Sequence, residues 1–265
     1  MVRFCQSYIP FETNTEQAEF TLACSKNAVE YLHGLGHTIV LYTNKRGAAW
    51  FKDCRYDQIN IVETEDTVKN RAFYANVKYA ACAREPLSTI FIDNDVIITK
   101  NDCINKVLNM QCDVVCQHSD IDYAGYNRSR EYLLPIVNNT VKVDELMSVS
   151  NNGLNCGLLK FNNEELKQRY LSNRVLLINS IVQSDIYKRL INDPTFHWEM
   201  FVEKWYLRNL CITEKYQFST LDKANGSHLI DKLGYYHLNG AYGTKTANFN
   251  EMCESRSKLL SADPH

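Results

Sequence analysis

The sequence predicts an α/β fold in which a mostly parallel central sheet carries helices on both faces. Short apolar, β-branched runs alternate with segments of helical apolar spacing through the first hundred residues. The composition, 45% apolar and 23% charged over 265 residues, is that of a globular chain with a sizeable core. No stretch has the composition of an interdomain linker. We therefore expect a single domain over residues 1–265.

The elements of the first half follow from these periodicities. Apolar residues such as Leu22, Val29 and Leu32 recur at helical spacing after residue 15, and Gly34 and Gly36 end that helix. The β-branched run at 37–43 is typical of a buried parallel strand. The predicted order is strand 2–8, helix 15–35, strand 37–43, helix 48–52, strand 58–62, helix 70–84 and strand 88–92. This alternation predicts crossover connections and parallel strand pairing.

In the second half of the chain, strand-like and helical segments alternate less regularly. Strands are expected at 113–116 and 154–161, and helices at 164–171 and about 196–210. Residues 119–150 are polar and rich in tyrosine, which favours a long irregular loop beside a site.

Charge and cysteine usage narrow the class of protein. A net charge of −2 gives no basic footprint for nucleic acid. Ten cysteines without a CxxC pair argue against a structural zinc site and favour free thiols in a reducing compartment. No secretory leader and no run of about 18 apolar residues occur, so we expect a cytoplasmic protein without a transmembrane segment.

The acidic triplet Asp93-Asn94-Asp95 directly follows the predicted strand 88–92. Ligands of open α/β sheets gather at the carboxyl ends of the strands. Two carboxylates there suit Mn²⁺ or Mg²⁺, which would bridge a diphosphate and neutralise its charge. The plain structural alternative is a solvated acidic turn that caps the next helix.

A strand followed by Asp-x-Asp is also how haloacid-dehalogenase-like phosphatases present their nucleophile and acid, here Asp93 and Asp95. That motif expects Thr or Val at the position of Ile97, and it needs a later acidic pair that this sequence lacks. The phosphatase therefore remains the alternative reading.

Four features in chain order resemble GT-A glycosyltransferases, especially the retaining enzymes similar to glycogenin and galactinol synthase (family 8). They are Lys78 ahead of the triplet, the triplet itself, Asn155-Cys156-Gly157, and His237-Leu238-Asn239-Gly240. The resemblance implies a GT-A (Rossmann-like) fold, a nucleotide-sugar donor such as a UDP-sugar, a glycan or other hydroxyl acceptor, and Mn²⁺ or Mg²⁺. It also implies a nucleotide-binding half at about 1–100 and an acceptor and catalytic half at about 101–250.

The resemblance assigns roles to individual residues. His237 would join Asp93 and Asp95 as the third metal ligand, and Lys78 would meet the diphosphate. The remaining donor-binding candidates are Ser7, Tyr8 and Asn44 (placed by topology at the ends of the first two strands), Asn94, Asn155, Gly157 and Gly240.

The chain departs from family 8 in two places. Lys245 comes five residues after Gly240, where the family has a Gly-x-x-Lys spacing, and the family's Asp-Gln pair is missing. Instead, residues 196–206 resemble a helix of blood-group-type transferases (family 6), which puts Glu199 at the position of the proposed nucleophile or cation stabiliser. Trp198 stands where that family has Asp.

A carboxylate beneath the anomeric carbon stabilises an oxocarbenium-like transition state, so Glu199 is the candidate catalytic residue and transfer with retention is expected. Glu203, one helical turn later, is the second candidate for this role. A GT-A-fold protein that binds nucleotides without catalysing transfer remains a further alternative.

Overall fold

The computed structural model describes residues 1–10, 15–63, 72–121, 125–142, 150–193, 196–222, 229–230 and 233–237. Its centre is a seven-stranded sheet made of β1 (Arg3–Tyr8), β2 (Thr38–Thr43), β3 (Gln58–Ile61), β4 (Ile90–Ile92), β6 (Val114–Asp120), β7 (Gly153–Phe161) and β8 (Phe218–Thr220). The order across this sheet is β3-β2-β1-β4-β7-β6-β8. β5 (Val96–Ile98) lies between β4 and β6 in the chain and belongs to a second sheet.

Most neighbouring strands in the central sheet are parallel. β1 runs parallel to β2 and β4, β2 to β3, and β6 to β8, while β7 is antiparallel to both β4 and β6. The predicted mostly parallel sheet is confirmed, with β7 as its antiparallel member.

Helices cover both faces of the sheet, as predicted. The helices are α1 (Thr15–Gly34), α2 (Lys45–Trp50), α3 (Asn76–Arg84), α4 (Asp102–Asn109), α5 (Gly125–Thr140), α6 (Glu164–Gln183), α7 (Asp185–Leu190), α8 (Trp198–Met200) and α9 (Tyr206–Thr213). Successive strand residues such as Phe4 and Cys5 enter different core clusters, which is the alternation expected of a sheet buried on both faces. The cluster with Cys5 includes residues of α3, α5, α6 and α9, and the cluster with Phe4 includes residues of α1 and α4.

A second, antiparallel sheet adds β9 (Leu229–Ile230) and β10 (Tyr235–His237) in the order β5-β10-β9. β10 pairs with β5 so that His237 lies opposite Val96 and Tyr235 opposite Ile98. This pairing brings the end of β10 beside the acidic triplet, which immediately precedes β5.

The predicted irregular loop at 119–150 is wrong over α5. Tyr126, Leu133 and Val137 are fully buried on one side of this helix, while Pro135 is exposed. Burial of this apolar stripe outweighs the cost of Pro135, which removes a helical hydrogen bond on the solvent-exposed side of α5. Residues 122–124 and 143–149 lie outside the described part of the chain.

The predicted helices of the second half also differ from the structure. α6 continues to Gln183 rather than ending near 171, and α7 follows it. The helix expected at 196–210 is interrupted by a π-helix, Phe201–Trp205, between α8 and α9. A π-turn holds more residues than an α-turn and changes the directions of the side chains that follow it.

In the described part of the chain, every cysteine is a free thiol, as expected from the sequence. Burial raises the pKa of Cys5 well above its ordinary value, so its thiol is held protonated. Among the helices that the structure describes, none has the length and hydrophobicity needed to cross a bilayer.

Candidate metal centre

The acidic triplet forms the turn between β4 and β5 and is tied to the central sheet. The backbone N–H of Asp93 donates to the carbonyl of Gly157 in β7 at 2.9 Å. The carbonyl of Asp93 accepts from Nε2 of Gln6 at 3.3 Å. These bonds fix the backbone of the turn, and both carboxylates remain partly exposed, at 31% for Asp93 and 25% for Asp95. Partial exposure leaves room for a ligand.

The imidazole of His237 completes a three-residue cluster. Its Nε2 lies 3.1 Å from Oδ1 of Asp95 and 3.8 Å from Oδ2 of Asp93. One ligand atom from each residue falls within 4.8 Å of the others. Two carboxylate oxygens and one imidazole nitrogen at this separation are a suitable donor set for a divalent ion.

Gln117 in β6 sets the orientation of His237. Its Oε1 lies 2.6 Å from Nδ1 of His237 and also accepts from the hydroxyl of Tyr235 at 3.2 Å. Because an amide oxygen only accepts, Nδ1 of the imidazole carries the proton of this contact, and Nε2 faces the two carboxylates. Such a hydrogen bond behind a histidine ligand is the usual support of a metal site.

Gly157 is required by the close approach of this pair to β7. A Cβ atom at position 157 would lie 2.2 Å from Oε1 of Gln117 and 2.4 Å from Nδ1 of His237. The side chain of Asn155 accepts a hydrogen bond from the N–H of Gly157 at 2.9 Å. The Asn-x-Gly segment therefore supports the histidine through its shape. Its predicted contact with the donor sugar stays a prediction.

Lys78, on α3, lies directly beside the triplet. Its Nζ is 2.7 Å from Oδ1 of Asp93, 3.1 Å from Oε1 of Glu203 and 3.0 Å from the carbonyl of Cys156. Burial alone would lower the pKa of Lys78, but the carboxylates of Asp93 and Glu203 raise it well above its ordinary value. Lys78 is a buried cation whose three N–H groups have protein acceptors, and its predicted contact with phosphate stays a prediction.

Glu199, on α8, has a different set of partners. Its Oε1 accepts from Nη2 of Arg174 at 2.7 Å, and its Oε2 accepts from the N–H of Ala75 at 3.3 Å. The residue is 1% exposed. Burial raises the pKa of Glu199, while Arg174 acts in the opposite direction. Both oxygens are held by protein donors, and the catalytic role of Glu199 stays a prediction.

The other predicted donor-binding residues are spread along the same edge of the sheet. Asn94 is buried and donates to Ser25 of α1 at 3.1 Å, so its amide faces the protein. Asn44 caps α2 by accepting from the N–H of Gly47 at 2.8 Å.

Ser7 and Tyr8 end β1 opposite Tyr42 and Thr43, as the topology predicted. Gly240 lies outside the described residues. None of these geometries tests a role in nucleotide binding, so the donor-binding roles of all these residues remain predictions.

Gln117 is the functional candidate that sequence reasoning missed. It is 1% exposed in a strand whose preceding residues are apolar. A buried amide in such a run needs a hydrogen-bond partner. This need was the feature of the sequence that could have marked Gln117 as a candidate. Nothing in the local sequence indicates that the partner is His237, 120 residues away.

Fold and site together describe an α/β protein with a candidate divalent-metal centre at the carboxyl end of β4. No protein-family model matches the sequence, and no curated protein sequence matches it.

Several solved structures are similar to the chain. One is the galactosyltransferase LgtC in complex with donor and acceptor sugar analogs, with a TM-score of 0.47 and 10% identity over 94% of this chain and 95% of that chain. An active site mutant of LgtC has a TM-score of 0.43 and 11% identity over 96% of this chain and 95% of that chain. TarS 1–349 of S. aureus has a TM-score of 0.29 and 12% identity over 76% of this chain and 72% of that chain. Likeness at this level does not transfer a function, so the site itself must carry the functional conclusion.

Proposed function

We propose that this chain is a metal-dependent glycosyltransferase of the GT-A type. It transfers a hexose from a nucleoside diphosphate-sugar, UDP-linked, to a glycan hydroxyl with retention of configuration. The observation that carries the proposal is the convergence of Asp93, Asp95 and His237 at the carboxyl end of β4. The ordered motifs between residues 78 and 240 support the same class.

The donor set fits Mn²⁺ well. Carboxylate oxygens suit both Mn²⁺ and Mg²⁺, and an imidazole favours the transition metal. Asp95 and His237 would hold the ion, and Asp93 would contact it directly, through water, or hold the ribose. The bound ion would neutralise the negative charge of the diphosphate leaving group. Gln117 keeps the proton on Nδ1 of His237, so Nε2 is available as a ligand.

Two charged side chains of the protein, Lys78 and Glu199, would stabilise the other charges of the reaction. Lys78 places a positive charge at 2.7 Å from Asp93, next to the position proposed for the diphosphate. We propose that Glu199 stabilises the positive charge that develops on the sugar, as the family 6 resemblance implies. In that role the carboxylate of Glu199 would be held in place by its two protein donors, Arg174 and the N–H of Ala75.

Removal of one ligand tests the proposal. Asp95→Ala should abolish Mn²⁺-dependent UDP binding, measured by isothermal titration calorimetry, while circular dichroism shows an intact fold. Asp185→Ala is the matched control, since its side chain is 97% exposed on α7 and pairs with nearby Lys188. Unchanged Mn²⁺-dependent UDP affinity in the Asp95 variant would overturn the proposed site.

A second experiment identifies the donor. A true nucleotide-sugar ligand raises the melting temperature of the protein by mass action. A thermal-shift screen of nucleoside diphosphate-sugars with and without Mn²⁺ should therefore show a metal-dependent rise for one donor class. Donor binding without transfer or hydrolysis of the sugar would favour the non-catalytic alternative.

A further inference from the structure

The π-helix Phe201–Trp205 carries a buried acidic residue, Glu203, that is connected to the metal centre through one lysine. Glu203 is 3% exposed, and its Oε1 accepts from Nζ of Lys78 at 3.1 Å and from the hydroxyl of Tyr79 at 2.9 Å. The same Nζ lies 2.7 Å from Oδ1 of Asp93. π-Turns inside α-helices often occur at functional sites, and this one carries the only acidic residue that the described contacts join to Lys78 besides Asp93.

The charges around Asp93 show what Glu203 contributes. The cation of Lys78 and the anion of Glu203 cancel each other. Asp93 and Asp95 then leave two negative charges, and these match the two positive charges of the proposed ion, which an imidazole binds as an uncharged ligand. Without the carboxylate of Glu203, Asp93 alone would compensate the ammonium of Lys78, which would then oppose any cation bound by Asp93.

Glu199 does not duplicate this arrangement, although it stands only four residues earlier in the chain. Its carboxylate pairs with Arg174 at 2.7 Å, and Arg174 lies over the ring of Tyr79 at 4.3 Å. The break in helical register between α8 and α9 lets the two buried glutamates serve two different cations.

We propose that Glu203 is a positioning residue of the metal centre. It holds the ammonium of Lys78 beside Asp93 and cancels its charge, so that one carboxylate can serve both a lysine and a divalent ion. This inference rests on the proposed function, because it assumes that Asp93, Asp95 and His237 bind a metal.

The test measures the affinity for Mn²⁺ alone, by calorimetry, with no nucleotide or sugar present. Glu203→Gln keeps the size of the side chain and removes the charge, and we expect Mn²⁺ binding to weaken by about 10- to 100-fold because Asp93 alone then compensates Lys78. The double variant Lys78→Met with Glu203→Gln removes both charges. We expect it to recover the wild-type affinity to within about threefold, since exchange of a whole buried ion pair is often close to neutral.

Glu85→Gln is the matched control, because it is the same substitution at a buried glutamate, paired with Arg3 at the start of β1 instead of Lys78. Its affinity for Mn²⁺ should equal that of the wild type. If Glu203 only stabilised the fold, Glu203→Gln would lower the melting temperature, but metal affinity would not fall in the single variant and recover in the double variant.

The outcomes separate this inference from the proposed function. If the wild type binds Mn²⁺ and Glu203→Gln binds it equally well, the role of Glu203 is wrong and the metal centre stands. The role is also wrong if the double variant binds more than about tenfold weaker than the wild type, and this comparison holds even if the single variant fails to fold. A wild type that binds no Mn²⁺ overturns both.

Discussion

Gly157→Ala is expected to perturb the proposed metal centre without replacing any of the three proposed ligand residues. Position 157 lies in β7, whose backbone the pair of His237 and Gln117 approaches closely. The added Cβ would stand 2.4 Å from Nδ1 and from Cε1 of the imidazole, and 2.2 Å from Oε1 of the amide. Neither side chain can keep its present position in the variant.

The structure gives the size of the displacement. Ordinary contact begins at 3.4 Å, so the imidazole must move by 3.4 − 2.4 = 1.0 Å and the amide oxygen by 3.4 − 2.2 = 1.2 Å. Such shifts break or distort the 2.6 Å hydrogen bond that fixes the tautomer of His237. Loss of a buried hydrogen bond costs about 1–3 kcal/mol of stability. Loss of the residue that orients a histidine ligand typically weakens metal binding by about 10- to 100-fold.

Calorimetric titration with Mn²⁺ and thermal unfolding measure the two effects. Gly34→Ala is the control, because a Cβ at that position on α1 meets nothing within 4 Å. We expect weaker Mn²⁺ binding and a lower melting temperature for Gly157→Ala only. Wild-type Mn²⁺ affinity in Gly157→Ala would show that the Gln117–His237 geometry does not govern the site.

Two further predictions concern buried glutamates. Glu199→Gln should lower turnover by roughly 10²–10³-fold while donor affinity stays near normal, since the proposed charge acts in the transition state. Steady-state kinetics measure the turnover, and donor titrations measure the affinity. Wild-type turnover in the variant, or a wild-type product of inverted configuration, would remove Glu199 from the mechanism. Burial of Glu85 favours its neutral form, but hydrogen bonds from Arg3 and Tyr42 hold its pKa below the ordinary 4.5. Its stabilising contribution is therefore complete above pH 4.5 and is lost as the pH falls below it, so Glu85→Gln should flatten the acid limb of the curve of unfolding free energy against pH. An acid limb as steep as that of the wild type would contradict this assignment.

The sequence predicted the sheet well because its strands are short, apolar and β-branched, and such runs have few alternatives in a buried parallel sheet. It failed at α5, where tyrosine was counted as polar although Tyr126 is fully buried. It also failed at β10, since a three-residue strand carries no periodicity and exists only through its pairing with β5. The π-turn depends on tertiary packing, so helical spacing alone could not reveal it.

The residues of the candidate site likewise differ in how far the sequence could predict them. Asp93 and Asp95 were predictable because they follow an apolar strand, and the chemistry of strand ends is local. His237 was placed only by resemblance to a family, since nothing in its neighbouring residues indicates a partner at position 95. The pairing of Lys78 with Glu203, and of Gln117 with His237, depends on contacts between elements more than 100 residues apart.

The pairing of β5 with β10 also determines when the proposed metal centre can form during synthesis. Val96 and His237 are neighbours in space, yet 237 − 96 = 141 residues separate them along the chain. At about 5–20 residues per second, a ribosome needs roughly 7–28 s to cover that distance. During that interval the nascent chain carries both carboxylates and Lys78 but not His237. The proposed centre is therefore complete only after translation has passed β10, and a chain released before that point would keep its acidic turn without His237.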